Sequence, residues 1–132
     1  PPQAIECRQM TIVDSSVWID FFRGTKSSAS LAPLLEGNEV LLHPWVLGEL
    51  ALGSLGRQRE SVLADLRLVP VAPVVPDSEL LGLIARRTLH GRGIGWVDVG
   101  LLASALVVPA TLWSFDRRLA ALANEASIAP FG

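Results

Sequence analysis

Four carboxylates in this chain sit where surface decoration does not account for them. Asp14 ends a short apolar, β-branched run, residues 10–14 (MTIVD), and Asp116 follows a second run at 111–115 (TLWSF). Residues 97–108 carry no charge except Asp98, and Glu49 interrupts an apolar series of Val46, Leu47, Leu50 and Leu52. Taken singly, each acid has a plain use. Asp14 can take serine amides in a turn, Asp116 can cap a helix, Asp98 can answer a helix dipole, and Glu49 can face water. Asp98 is the hardest to dismiss, because a carboxylate in apolar surroundings is costly unless it caps, pairs or binds metal. Taken jointly, four converging acids repel one another and need divalent cations. Hard oxygen donors favour Mg²⁺ or Mn²⁺. Two such ions about 3.5–4 Å apart activate water and stabilise the leaving oxygen of an in-line phosphodiester displacement.

Those acids can meet only if the elements carrying them share one sheet edge. The pattern alternates strand and helix throughout, with no internal repeat or low-complexity tract. After the strand at 10–14, Ser15 and Ser16 offer N-caps to a helix carrying Val17, Trp18, Phe21 and Phe22 and stopping at Gly24. A short helix at 31–35 ends at Gly37, residues 39–42 read as a strand, and Pro44 suits the first turn of the Glu49 helix. Another helix runs from about 58 to 66. The three prolines of 68–76 (LVPVAPVVP) exclude a central strand and leave a connector or short edge. A helix from 76–77 to 89, the helix 97–108, the strand 111–115 and a helix 116–124 complete the chain. Such alternation predicts a three-layer α/β/α sandwich with a central, mostly parallel sheet. In open sheets of this class, ligands bind beyond the carboxyl ends of the strands.

Composition agrees with one well-filled domain over residues 10–132. Of 132 residues, half are hydrophobic and 18% charged, which excludes a disordered chain. The apolar surplus anticipates a partner surface. Residues 1–9, ahead of the only methionine, Met10, read as an expression remnant or N-terminal extension. Lone Cys7 rules out an internal disulfide and suits a reducing compartment. A membrane span at 94–115 is broken by Pro109, and the piece 94–108 is shorter than the ~20 residues required. Thirteen acids against eleven bases give a net charge of −2, with no overall basic field to attract nucleic acid. Setting the four acids aside leaves nine acids facing eleven bases, so the remainder is +2.

With these residues in place the chain resembles a known family. Asp14 in IVDSSVWIDFF, Glu49 in VLGELALG, Asp98 in GWVDVGLLASAL and Asp116 in WSFDRRLAALA match, in order, the acidic quartet of PIN-domain ribonucleases. The contexts Gly-Trp-Val-Asp and Ser-Phe-Asp look most like the VapC toxins of bacterial toxin–antitoxin pairs. The resemblance implies a parallel-sheet α/β/α fold and Mg²⁺- or Mn²⁺-dependent endoribonuclease activity leaving a 5′-phosphate and a 3′-hydroxyl. It also implies a cytoplasmic homodimer held inactive by a cognate VapB-type antitoxin. Asp14, Glu49, Asp98 and Asp116 become the catalytic metal-binding set, and Ser16 and Ser114 match positions where the family places hydroxyls near the metal. His43-Pro44 departs from the small hydroxyl residue more usual there.

Around the quartet, Arg23, Arg92, Arg117 and Arg118 are the candidates for an RNA-binding rim, since guanidinium pairs with phosphate in forked geometry. His43 and His90 lack partners at triad or ligand spacing, and His90 suits a helix C-terminus. The GRGIG run at 91–95 follows a helix and lacks the Lys-Ser/Thr of a phosphate loop, so it reads as a turn. Two other functions compete. A receiver-like Mg²⁺-binding signalling module would need an acidic pair after the first strand and a late lysine; here residues 15–17 are Ser-Ser-Val and the only lysine is Lys26. A catalytically silent PIN scaffold that only binds a partner is the other.

Overall fold

Thr11, Ile12 and Val13 are all buried, and a strand buried on both faces needs a layer on each side. In the computed structural model, which describes residues 9–131, this strand is β1 (Thr11–Val13). It lies at the centre of a parallel sheet whose order among the described residues is β2 (Val40–Leu41), β1, β3 (Thr111–Trp113). Around it pack α1 (Ser15–Phe22), α2 (Leu31–Glu36), α3 (Pro44–Leu52), α4 (Arg59–Leu66), α5 (Asp77–Arg87), α6 (Trp96–Val107) and α7 (Arg117–Glu125). Short 3₁₀ turns at Lys26–Ser28 and Gly56–Gln58 join them. The architecture is the α/β sandwich expected. Residues 1–8, and with them Cys7 and nearly all of the expected extension, lie outside the described residues. Gln9 is described, and its side-chain amide donates to the Pro109 carbonyl at 2.7 Å.

Strand order creates the functional edge. The chain leaves β1 on one side to form β2 and comes back on the other side as β3, so a topological switch point falls between the carboxyl ends of β1 and β3. The register Thr11↔Thr111, Ile12↔Leu112, Val13↔Trp113 then sets Asp14 level with Ser114. The Asp14 N–H donates to the Trp113 carbonyl at 2.9 Å and fixes that alignment. At the opposite end, the Thr11 and Thr111 hydroxyls pair at 2.6 Å, a cross-strand contact of the kind that pins register.

Local sequence explains the helices that matter. Pro44 occupies the first turn of α3, and the His43 Nδ1 accepts the Trp45 N–H at 3.0 Å as its N-cap. Every residue from Val99 to Ala105 is buried, as expected of a helix that is apolar on all sides. On α7 the buried residues Leu119, Leu122 and Ala123 fall on one stripe. No helix among the described residues is long and apolar enough to cross a membrane. The segment after α4 forms the expected short edge, with Val71 bridged in parallel to Leu42.

Several boundaries differ from the sequence reading. The helix expected to reach residue 89 stops at Arg87. Thr88 turns left-handed at φ 51°, and Leu89 donates to the Ile84 carbonyl at 3.0 Å. This six-to-one closure carries Leu89 into the core at 3% exposure. His90 therefore lies beyond the helix, and Arg86 and Arg87 occupy its last turn. The N-cap of α1 is Asp14, not Ser15 or Ser16, because the Ser16 hydroxyl is committed elsewhere.

Candidate functional site

Asp14 comes from the end of β1, Glu49 from α3, Asp98 from the first turn of α6, and Asp116 from the junction of β3 and α7. All four reach the switch point. Asp14 is 6% exposed, Asp98 is half-buried, and Glu49 and Asp116 form the exposed rim.

A hydroxyl clamp holds the innermost acid. Ser16 Oγ and Ser114 Oγ both donate to Asp14 Oδ2, at 2.7 and 2.8 Å. Each serine also accepts a backbone N–H, Ser16 from Phe115 at 3.1 Å and Ser114 from Asp116 at 2.9 Å. An N–H can only donate, so each hydroxyl has its single proton committed to Asp14. Oδ1 of Asp14 has no donor among the described residues. Two stretches of chain, 14–16 and 114–116, are thereby tied into one network, and both serines expected near the acids are placed against Asp14. The Asp116 Oδ1 accepts the Arg118 N–H at 2.8 Å as the N-cap of α7. Asp98 Oδ2 accepts the Gly95 N–H at 3.1 Å, half of a capping box, since a glycine N-cap returns no side-chain bond.

Electrostatics bind the four together. Partial loss of water pushes the Asp98 carboxyl above its ordinary range; the Gly95 N–H opposes this, and the charges of Asp14 and Asp116 add to it. Desolvation likewise raises Glu49, opposed by the Ser15 side chain and reinforced by Asp14 and Asp98. Each acid thus lies in the field of at least one other. Among the described residues the one ion pair is Arg92–Glu125, so no protein cation neutralises the quartet. The four share a field rather than a finished cage: among the described residues no three His, Cys, Asp or Glu side chains already converge on one ion position.

The arginines divide. Arg23 lines a groove of about 330 Å³ together with Glu49, Ile19, Phe22 and Leu55. Arg117 is exposed beside Asp116. Arg92 is turned away to Glu125, at 3.1 and 2.6 Å, and Arg118 donates to the Gly93 carbonyl at 3.2 Å. These last two tie the glycine-rich turn to α7, and a phosphate would have to compete for them. His43 is fully buried, where loss of water lowers its pKa, so it is a neutral capping residue outside the site. Trp96 and Phe115, close to Asp98 and Asp116 in sequence, are each 41% exposed.

The chain that builds this site has relatives among known proteins. The PIN domain family model matches residues 11–125, and the chain belongs to that family. Within it, the chain is similar to Ribonuclease VapC32 of Mycobacterium tuberculosis. Identity is 47% over 121 residues in both strain CDC 1551 / Oshkosh and strain ATCC 25618 / H37Rv, covering 91% of this chain and 95% of the relative. Family membership leaves the receiver-like alternative without footing.

Proposed function

We propose that the chain is a metal-dependent endoribonuclease hydrolysing RNA phosphodiester bonds, the toxin of a type II toxin–antitoxin pair restrained by a cognate VapB-type antitoxin. The observation that carries this reading is the shared field of four carboxylates from four separate elements, with no cation among the described residues paired to any of them. Asp14, Glu49, Asp98 and Asp116 would hold Mg²⁺ or Mn²⁺, and the donor set fits, being all hard oxygen with one enclosed carboxylate oxygen left open. A divalent ion bound there supplies the polarised water and offsets charge developing on the phosphate.

The chain's own residues do the rest. Ser16 and Ser114 hold Asp14 in one orientation, and Asp98 is held by the Gly95 N–H. Arg23 and Arg117, which have no side-chain partner among the described residues, would meet backbone phosphates at the rim, whereas Arg92 and Arg118 would first have to leave Glu125 and the Gly93 carbonyl. One domain spans residues 10–132, and it acts in the cytoplasm. Support for an antitoxin helix comes from an apolar groove of about 270 Å³ lined by Trp18, Phe21, Phe22, Leu35 and Val69. Leu68 on the same groove is 82% exposed, Leu52 at the end of α3 is 91% exposed, and self-association into a homodimer would cover such surface.

Total RNA incubated with Mg²⁺ or Mn²⁺ is expected to be cleaved internally, and EDTA is expected to stop it; cleavage undiminished by EDTA refutes the mechanism. Ser114→Ala removes one donor from Asp14, and orienting bonds of this kind are worth about 10- to 100-fold in metal affinity. Calorimetric titration with Mn²⁺ is expected to show that weakening, with stability lower by about 1–2 kcal/mol.

A further inference from the structure

The turn between α5 and α6 delivers Asp98, and side chains of α7 fasten it. Gly91 and Gly93 both turn left-handed, at φ 74° and 73°, a backbone state that glycine enters freely and leaves as freely. The turn ends at Gly95, whose N–H donates to Asp98 Oδ2 at 3.1 Å. Where that N–H stands, the carboxylate follows. Arg118 Nη1 donates to the Gly93 carbonyl at 3.2 Å. At the far end of α7, Glu125 accepts from both Nη atoms of Arg92, at 3.1 and 2.6 Å. The turn is thus held at two points on one helix, the second a forked charged pair.

Arg118 has another attachment, and it leads back to the acids. Its backbone N–H donates to Asp116 Oδ1 at 2.8 Å. The Asp116 N–H in turn donates to Ser114 Oγ, which donates to Asp14. One chain of bonds therefore runs from Asp14 through Asp116 and Arg118 to the turn that carries Asp98. The guanidinium also fits its turn closely, since a Cβ on Gly93 would stand 3.0 Å from Arg118 Nη1. Helix stability alone does not account for an arginine here. Position 118 is in the first turn of α7, which holds no acid, and the helix dipole disfavours a cation there.

We infer that Arg118 is a positioning residue for the metal centre, setting the separation of Asp98 and Asp116 by holding the 91–95 turn to α7, with Arg92–Glu125 as its second attachment. The inference rests on the proposed metal centre and deepens it. Mn²⁺ titrated calorimetrically into the RNA-free protein tests it. Bonds that orient metal ligands directly are worth about 10- to 100-fold in affinity. Arg118 acts one bond further out, so Arg118→Met is expected to weaken Mn²⁺ binding about 10-fold, the low end of that range. The sign is diagnostic, because removing a cation beside Asp116 would by charge alone tighten Mn²⁺ binding. Arg118→Lys, which still offers a donor to the Gly93 carbonyl, is expected to restore most of the affinity. Glu125→Gln, which loosens Arg92 and leaves Arg118 in place, is expected to weaken Mn²⁺ binding less. In both weakened variants, metal-free hydrogen exchange should quicken over 91–98 and not over α5, which separates a loosened turn from a lost fold. If the parent binds Mn²⁺ and cleaves RNA while Arg118→Met and Glu125→Gln bind Mn²⁺ as tightly or more so, the inference alone falls. An Arg118→Met protein with the parent's Mn²⁺ affinity but a raised KM for RNA makes Arg118 a phosphate contact and also overturns it. A parent that neither takes up Mn²⁺ nor cleaves RNA overturns the metal centre together with the inference.

Discussion

An Asp98→Asn protein is expected to lose RNA cleavage by about 10³-fold or more while melting at a higher temperature than the parent in EDTA. The first effect follows from the proposed role: removing a charged ligand forfeits several kcal/mol of charge stabilisation. The second follows from the cost of holding that ligand ready. Asp98 is raised above its ordinary range by desolvation and by the charges of Asp14 and Asp116. An acid whose folded-state pKa is raised favours the folded protein while protonated and costs stability once ionised. Metal-free stability therefore falls as pH rises from below the ordinary carboxyl range through the raised values of Asp98 and Glu49. Asparagine removes the charge and still accepts the Gly95 N–H. Since Asp98 is only half-buried, solvent screening discounts the gain to about 1 kcal/mol, or roughly 3–5 °C in Tm.

Asp14→Asn should abolish cleavage as fully without the stability gain, because Asp14 accepts charge-assisted bonds from two serines that a neutral amide weakens. Calorimetric scans in EDTA and cleavage assays in Mg²⁺ separate the two variants. Cleavage surviving in either variant sinks the assignment. An Asp98→Asn protein less stable than the parent removes the idea that the site stores repulsion.

The different settings of these two acids also mark what the sequence could express. Asp14 and Asp116 were legible because strand ends announce themselves through β-branched runs followed by capping residues, and Asp98 because it stands alone in an apolar stretch. Their clustering was legible only through family resemblance, since strand order depends on contacts a hundred residues apart, such as Thr11 with Thr111. The hydroxyl clamp was hidden for the same reason. Ser16 looks like an N-cap in isolation, and only the β1–β3 register brings Ser114 and the Phe115 N–H to it. The strand expected to reach 115 ends at Trp113 because the Phe115 and Asp116 N–H groups turn to the Ser16 and Ser114 hydroxyls instead of the ladder. Arg92 was legible as a cation but not as Glu125's partner, a contact spanning 33 residues.

Gly100→Ala is expected to lower stability by about 2 kcal/mol, roughly 6–10 °C in Tm, and to reduce cleavage well below the new melting temperature. Position 100 lies in the buried centre of α6, where alanine would ordinarily gain about 1 kcal/mol of helix propensity. Sterics reverse the sign. A Cβ there would overlap Trp45 Cζ3 and stand 2.7 Å from Trp45 Cε3. The indole has little room to retreat, being stacked on Trp96 and edge-on to His43. Relief requires α3 and α6 to part, and these helices carry Glu49 and Asp98. Trp45→Leu in the same chain makes space for the methyl group, so the double variant is expected to be more stable than the sum of the single effects. Cleavage should recover alongside Tm if the seam aligns the acids. Recovery of stability without any recovery of cleavage would show that the spacing of Glu49 and Asp98 is set elsewhere.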